Sequence, residues 1–213
     1  MNKLAVIYGL PRGGTSLVAG ILHHAGFDMG DIRGRVKSYP NGESYPTYED
    51  RGYLPHIHQH TKNKKVKELV LEDAVALRRY VNRRLIRANG RPAGVKMPGM
   101  HLWSAVPDWV NMPVVTIRVV RPLADSVASS VRKNPGTLAA QWESNGLSML
   151  DSMDKFEKQR PPLVTIDFYG FLDGMRMEPD GTICSLLKRL EPETGVPLGG
   201  WNIKAAKESV VLR

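Results

Sequence analysis

Of 213 residues only one, Cys184, is a cysteine. That excludes an internal disulfide framework and suits a reducing, cytoplasmic setting. Its neighbours Ile183, Leu186 and Leu187 suit a buried structural thiol. No apolar run approaches the ~20 residues that cross a bilayer, so no transmembrane segment is expected. Met1-Asn-Lys leads straight into a short apolar run, so no secretory leader is expected. Neither an internal repeat nor a low-complexity tract interrupts the chain, so residues 1–213 read as one domain with room for a sizeable core. Acidic residues are outnumbered, leaving a net charge of +9, which would attract an anionic ligand. No nucleic-acid motif accompanies the charge, and no nucleic-acid partner is expected.

The densest basic run is Lys62, Lys64, Lys65 and Lys67, followed by Arg78, Arg79, Arg83, Arg84 and Arg87. The pattern predicts a helix from about Val66 to Ala88, stopped by Asn89 and Gly90. Its arginines would occupy the outer face and the C-terminal end, where cations complement the helix dipole. A solvated face accounts for them; a site for an acidic acceptor or an anionic membrane surface is the alternative.

What the chain does contain is Gly9-Leu10-Pro11-Arg12-Gly13-Gly14-Thr15-Ser16. The segment follows the apolar run Leu4 to Tyr8 and opens a stretch with helical spacing (Leu17, Val18, Ile21, Leu22). Strand, glycine-bearing turn and helix in that order form a phosphate cradle, because glycines let backbone N–H groups converge and the helix N-terminus adds partial positive charge. The spacing fits the nucleotide-triphosphate loop except that Thr15 stands where its lysine belongs. The loop's cation is Arg12 instead. A nucleotide kinase or NTPase with a degenerate loop, or a non-catalytic nucleotide binder, therefore remains an alternative.

Residues Pro11 to Ser16 resemble the 5′-phosphosulfate loop of sulfotransferases, which use 3′-phosphoadenosine 5′-phosphosulfate. The stretch through His23, Gly26, Asp28, Met29 and Gly30, and the triplet Tyr48-Glu49-Asp50, resemble the bacterial and phage branch. A second segment runs from Val114 through Arg121-Pro-Leu-Ala-Asp125 to Ser129. Sulfotransferases end a strand with an arginine and place a serine eight residues later, the two holding the 3′-phosphate; Arg121 and Ser129 match. Arg118 with Ser126 has the same spacing but would place the arginine mid-strand. Gly94-Val-Lys96-Met-Pro98 resembles the strand end reading Lys-Asp-Pro in bacterial members, and Leu163 to Leu172 resembles the strand entering a turn whose tyrosine, here Tyr169, lies near the adenine.

The resemblance implies a three-layer α/β/α fold with a central parallel sheet of P-loop NTPase-like, sulfotransferase topology. The pattern itself gives strands at 4–8, 93–97, 114–120 and 163–167 and further helices at about 136–158 and 182–190. Ligands would bind at the carboxyl ends of the strands, where Gly9, Lys96, Arg121 and Tyr169 fall. By the resemblance, the protein moves a sulfuryl group from 3′-phosphoadenosine 5′-phosphosulfate to an acceptor hydroxyl or amine, leaving 3′-phosphoadenosine 5′-phosphate. Pro11, Arg12, Gly13, Gly14, Thr15, Ser16, Arg121, Ser129 and Tyr169 would bind the donor; Arg12 and Lys96 would act on the transferring group.

The general base is expected to be Glu49, with His101 next and Asp50 or Glu43 as alternatives. Rings at Tyr45, Tyr48 and Tyr53 would surround Glu49 and raise its pKa. Residues 31–61, long and without period, read as acceptor site or lid. The acceptor would be a small molecule, glycan, lipid or peptide. His56, His58 and His60 alternate as strand ligands could, but no carboxylate or cysteine joins them at usual spacing, so no metal is expected.

Overall fold

The computed structural model describes residues 2–32, 36–38, 44–50, 71–97, 111–133, 136, 138–195 and 201–210. At its centre four strands run in parallel: β1 (Leu4–Gly9), β4 (Gly94–Lys96), β5 (Val114–Val120) and β6 (Val164–Asp167), in the order β4-β1-β5-β6. A separate antiparallel pair joins β2 (Val36–Ser38) to β3 (Ser44–Pro46). Among the described residues the helices are α1 (Thr15–Ala25), α2 (Leu71–Ala88), α3 (Leu123–Lys133), α4 (Ala139–Gln159), α5 (Phe168–Met177), α6 (Pro179–Thr194) and α7 (Ile203–Glu208).

Strands β1 and β5 are buried almost throughout because both faces of the sheet are covered there, whereas the edge strand β6 alternates buried and exposed residues. Leu4, Val6 and Tyr8 of β1 face one layer, with Leu77, Tyr80 and Val81 of α2 and Met153 and Phe156 of α4. Ala5 and Ile7 face the other, with Val18, Ile21 and Leu22 of α1, Ile183, Leu186 and Leu187 of α6, and Ala206 of α7. This is a three-layer α/β/α arrangement. The strands at 4–8, 93–97, 114–120 and 163–167 are all present within a residue or two.

Two helices depart from the sequence expectation. Leu163 to Leu172 leaves its strand at Asp167 and enters α5 directly, because the Asp167 carboxylate accepts the Gly170 N–H at 2.7 Å and caps the helix. Tyr169 therefore lies in a helical first turn. In α2, Arg79, Arg83 and Arg87 are exposed as expected, but Arg84 is 4% exposed and belongs to the interior. It falls on the same helical face as Leu77, Tyr80, Val81 and Ala88.

The chain leaves the adjacent strands β1 and β5 toward opposite layers, first into α1 and, after α3, into α4. Such a switch point opens a crevice at the carboxyl ends of the strands. Two close approaches shape it. A Cβ on Gly9 would lie 2.5 Å from the Val119 carbonyl oxygen, so only glycine lets β1 turn away beside β5. At Gly14, with φ 93°, a side chain would also collide with the ring of Phe168.

Candidate functional site

The β1–α1 loop is a tight backbone turn. Gly13 N–H donates to the Leu10 carbonyl at 2.9 Å, and both Arg12 (φ 63°) and Gly14 are left-handed. Helix α1 has no side-chain cap at Gly14 and no acidic residue in its first turn. Its leading N–H groups, which have no acceptor within the helix, are thus open to an outside anion.

On the β5 side, Arg121 follows the strand and reaches back to the loop. Its Nη1 donates to the Arg12 carbonyl at 2.9 Å. Its guanidinium lies over the Phe168 ring at 4.8 Å and near the Tyr169 ring at 5.7 Å. A planar, weakly hydrated cation suits that seat. The Arg12 Nε in turn donates to Ser129 Oγ at 3.3 Å. Tyr169 donates to Asp125 Oδ2 at 2.8 Å and sits 3.5 Å from Arg121 Nη2. Arg12, Arg121, Ser129 and Tyr169, drawn from four separate segments, therefore form one contiguous group.

Arg118 goes elsewhere. Its side chain leaves β5 toward α4, where it pairs with Glu157 and lies 3.6 Å from Asp154. Tyr8 joins the same cluster by donating to Glu157 Oε1 at 2.6 Å. Burial, then that carboxylate, raise the Tyr8 hydroxyl's pKa well above its ordinary value. Ser126, the partner that Arg118 would need, is buried.

On the β4 side the central group is Lys96, 9% exposed. Its ammonium donates to Ser16 Oγ at 2.9 Å, to the Thr47 carbonyl at 3.1 Å and to Glu49 Oε1 at 3.1 Å. Among the described residues the ammonium thus meets three acceptors, as many as it has protons. Through Ser16 it touches the first turn of α1. The ammonium missing at the Thr15 position thus approaches that turn from the neighbouring strand.

Glu49 is held in place by the residues on either side of it. Tyr48, at φ 53°, lays its ring against Gly20 of α1 and its hydroxyl lies 3.4 Å from His24 Nε2. Burial raises the Tyr48 pKa; burial, and then His24, lower that of His23. Asp50 turns inward, 3% exposed, and accepts from Tyr80 Oη at 2.7 Å and from the Asp31 N–H at 3.1 Å. Within the triplet, Tyr48 packs on a helix, Asp50 is buried, and Glu49 reaches Lys96. Among the described residues Glu49 meets the Lys96 ammonium at 3.1 Å, while the Tyr48 ring packs toward α1. Tyr53, His101, Glu43 and the histidines at 56, 58 and 60 lie outside the described residues, as does the Tyr45 side chain.

Phe168, Arg84, Tyr80 and Thr47 escape the sequence reading. Thr47 acts through its backbone carbonyl, which no motif reveals. Arg84 carried a signal: a lone charge inside an apolar helical stripe.

No protein-family profile and no curated protein sequence matches the chain. Among solved structures it is similar to the crystal structure of the sulfotransferase STF1 from Mycobacterium tuberculosis H37Rv. The TM-score is 0.44 and the identity 13%, over 98% of this chain and 76% of that one. A likeness at this level carries no argument about activity. No described helix is long and apolar enough to cross a membrane, and no described cluster of His, Cys, Asp and Glu has the grouping of a metal site.

Proposed function

We propose that the crevice binds 3′-phosphoadenosine 5′-phosphosulfate and transfers its sulfuryl group to an acceptor hydroxyl or amine. One observation carries the reading: an uncapped loop–helix turn has a cationic group on each side, Arg121 with Arg12 toward β5 and Lys96 toward β4. A donor with phosphate at both 5′ and 3′ positions needs two anion sites, whereas a nucleoside triphosphate needs its charge gathered at one.

The donor supplies the sulfuryl group and a bisphosphate that departs as charge moves onto its oxygens. The loop amides, Thr15 and Ser16 would hold the 5′ end. Arg121 and Ser129 would read the 3′-phosphate, and Tyr169, 41% exposed, would lie beside the base. Arg12 and Lys96 would stabilise charge on the transferring and departing oxygens. Glu49, with an oxygen 3.1 Å from Lys96 Nζ, would accept the acceptor's proton, which requires it to turn partly from the lysine when the acceptor enters. His101 is the second candidate. The acceptor would be a small molecule, glycan, lipid or peptide, met by residues 31–61.

Calorimetry with 3′-phosphoadenosine 5′-phosphate, AMP and ATP tests the assignment. The bisphosphate should bind more tightly than AMP. Arg121→Ala should weaken it by about tenfold or more, since a hydrogen bond to a charged group contributes roughly 1.5–3 kcal/mol, and leave AMP nearly unchanged. Equal losses for both ligands would remove the 3′-phosphate assignment, and tighter binding of ATP would favour a nucleotide kinase or NTPase.

A further inference from the structure

We propose that Arg84 is a positioning residue, setting the Lys96–Glu49 pair from behind through the buried acids and carbonyls that flank it. The role rests on the reading that this pair serves transfer. Arg84 touches no part of the crevice itself. Its Nη2 lies 2.6 Å from the Asp28 carbonyl oxygen, 3.0 Å from Asp28 Oδ1 and 3.2 Å from the Gly94 carbonyl oxygen. Its Nε lies 3.3 Å from Asp50 Oδ2, an ion pair without the alignment of a hydrogen bond.

Each of these contacts leads to the pair. Gly94 is two residues before Lys96 on the same short strand. Asp50 directly follows Glu49, and Tyr80, one turn from Arg84 on α2, fixes the same carboxylate oxygen at 2.7 Å. Asp28 lies beyond α1, the rigid helix that presents Ser16 to Lys96, and is bridged to Ala93 beside β4. One planar guanidinium thus links the strand carrying the ammonium, the segment carrying the carboxylate and the segment that follows the helix carrying the hydroxyl. Lysine, a point charge without a fork, could not make all these contacts from one position. A displacement near 1 Å at a reacting group can cost ~100-fold in rate, so small errors at Arg84 should appear as lost turnover.

The test uses Arg84→Lys and Tyr80→Phe, with Tyr8→Phe as control. Tyr8→Phe removes a hydrogen bond in the same core layer, but one that leads to Glu157 and not to the crevice. Two properties are read on folded protein: turnover of the sulfate donor, and peptide-resolved acetylation of Lys96 by acetic anhydride, which needs no activity. Arg84→Lys should lower kcat by about tenfold or more, and Tyr80→Phe by about threefold, as misplacement would. The affinity for 3′-phosphoadenosine 5′-phosphate should fall less than kcat in both, because the loop amides, Arg121 and Ser129 are assigned most of that ligand's contacts and Lys96 keeps its charge. Lys96 should acetylate faster in both, and at the parental rate in Tyr8→Phe.

If Arg84→Lys does not fold, Tyr80→Phe decides by the same measurements. Parental acetylation of Lys96 in the folded variants would overturn the positioning role, as would an equal rise in Tyr8→Phe. Failure of the parent protein to bind the bisphosphate would overturn the transfer reading instead, and the acetylation comparison would still decide the role of Arg84.

Discussion

The two walls of the crevice are braced by different interactions. On the β4 wall, Lys96 meets three acceptors among the described residues, and behind it the buried Arg84 and Asp50 and the partly buried Asp28 fix the backbone on each side. On the β5 wall, Arg121 rests on the faces of two aromatic rings and on a single carbonyl of the loop. Buried ion pairs are strict about geometry, because an unpaired partner costs several kcal/mol. Cation–ring contacts are weaker and broader, on the order of 0.5–2 kcal/mol. The β4 wall therefore suits alignment of a reacting group, where small errors in position are expensive. The β5 wall suits capture of a ligand, where an arginine must exchange one partner for another.

The sharpest way to break this contrast is to remove one charged side chain from each wall. Glu49→Gln should lower turnover of the sulfate donor with an acceptor by ~100-fold or more, as expected for losing a general base. Its bisphosphate affinity should stay within about twofold. Arg12→Ala, across the loop, should also lose ~100-fold in turnover, the typical consequence of deleting one transition-state donor. Arg12→Lys should recover part of that, since it keeps the charge without the forked geometry. Steady-state kinetics beside calorimetry separates the cases. A Glu49→Gln variant that loses bisphosphate affinity and keeps kcat would reverse the roles given to the two walls.

A middle-sized effect belongs to Phe168. Its ring fills the space beside Gly14 and carries the Arg121 guanidinium at 4.8 Å. Phe168→Leu keeps apolar volume but removes the ring face. The bisphosphate should weaken by about five- to tenfold, the equivalent of roughly 1–1.4 kcal/mol for a partly desolvated cation–ring contact, while Phe168→Trp should hold its affinity. Equal affinity in the leucine variant would mean that the ring serves only as packing.

The parts legible in the sequence are those whose cause is local. The β1 loop is read from glycines beside a β-branched strand and an apolar helix. The β5 strand is read from an apolar, β-branched run of the kind a sheet covered on both faces requires, and Arg121 from its resemblance, with Ser129, to the sulfotransferase strand end. The structure also separates Arg118 from Arg121, which spacing alone could not: two residues three apart on one chain reach different layers. What stays hidden depends on contacts distant in sequence. Tyr48 packs on Gly20 and Glu49 pairs with Lys96, and nothing in Tyr48-Glu49-Asp50 indicates that the ring and the carboxylate will part in this way. Arg84, expected on the solvated face of α2 with its neighbours, has the register of Leu77, Tyr80 and Val81 and is buried with them. In α5, aromatic residues and glycine suggest strand and turn, and the Asp167 cap decides for helix.

The smallest predicted effect concerns acid stability, and it too separates the walls. Burial alone would raise the pKa of Asp28, but the Gly30 N–H at 2.9 Å, Arg84 and Arg91 outweigh it and hold the carboxyl below its ordinary value. A group that titrates lower in the folded chain stabilises it fully above the unfolded pKa, ~3.9 for aspartate. That contribution fades as pH falls through the lowered folded value. Denaturant melts from pH 7 downward should therefore show Asp28→Asn less stable than the parent at neutrality, because Arg84 loses a buried countercharge. The gap should narrow steadily below about pH 4, where the parent's own Asp28 becomes protonated. Tyr169→Phe, on the β5 wall, removes a donor to Asp125 rather than a partner of a buried cation, and should cost less stability at neutrality. If the gap between Asp28→Asn and the parent stays constant down to pH 2, the carboxylate contributes shape and hydrogen bonding alone, and the ionic bracing assigned to the β4 wall would have to rest on Asp50.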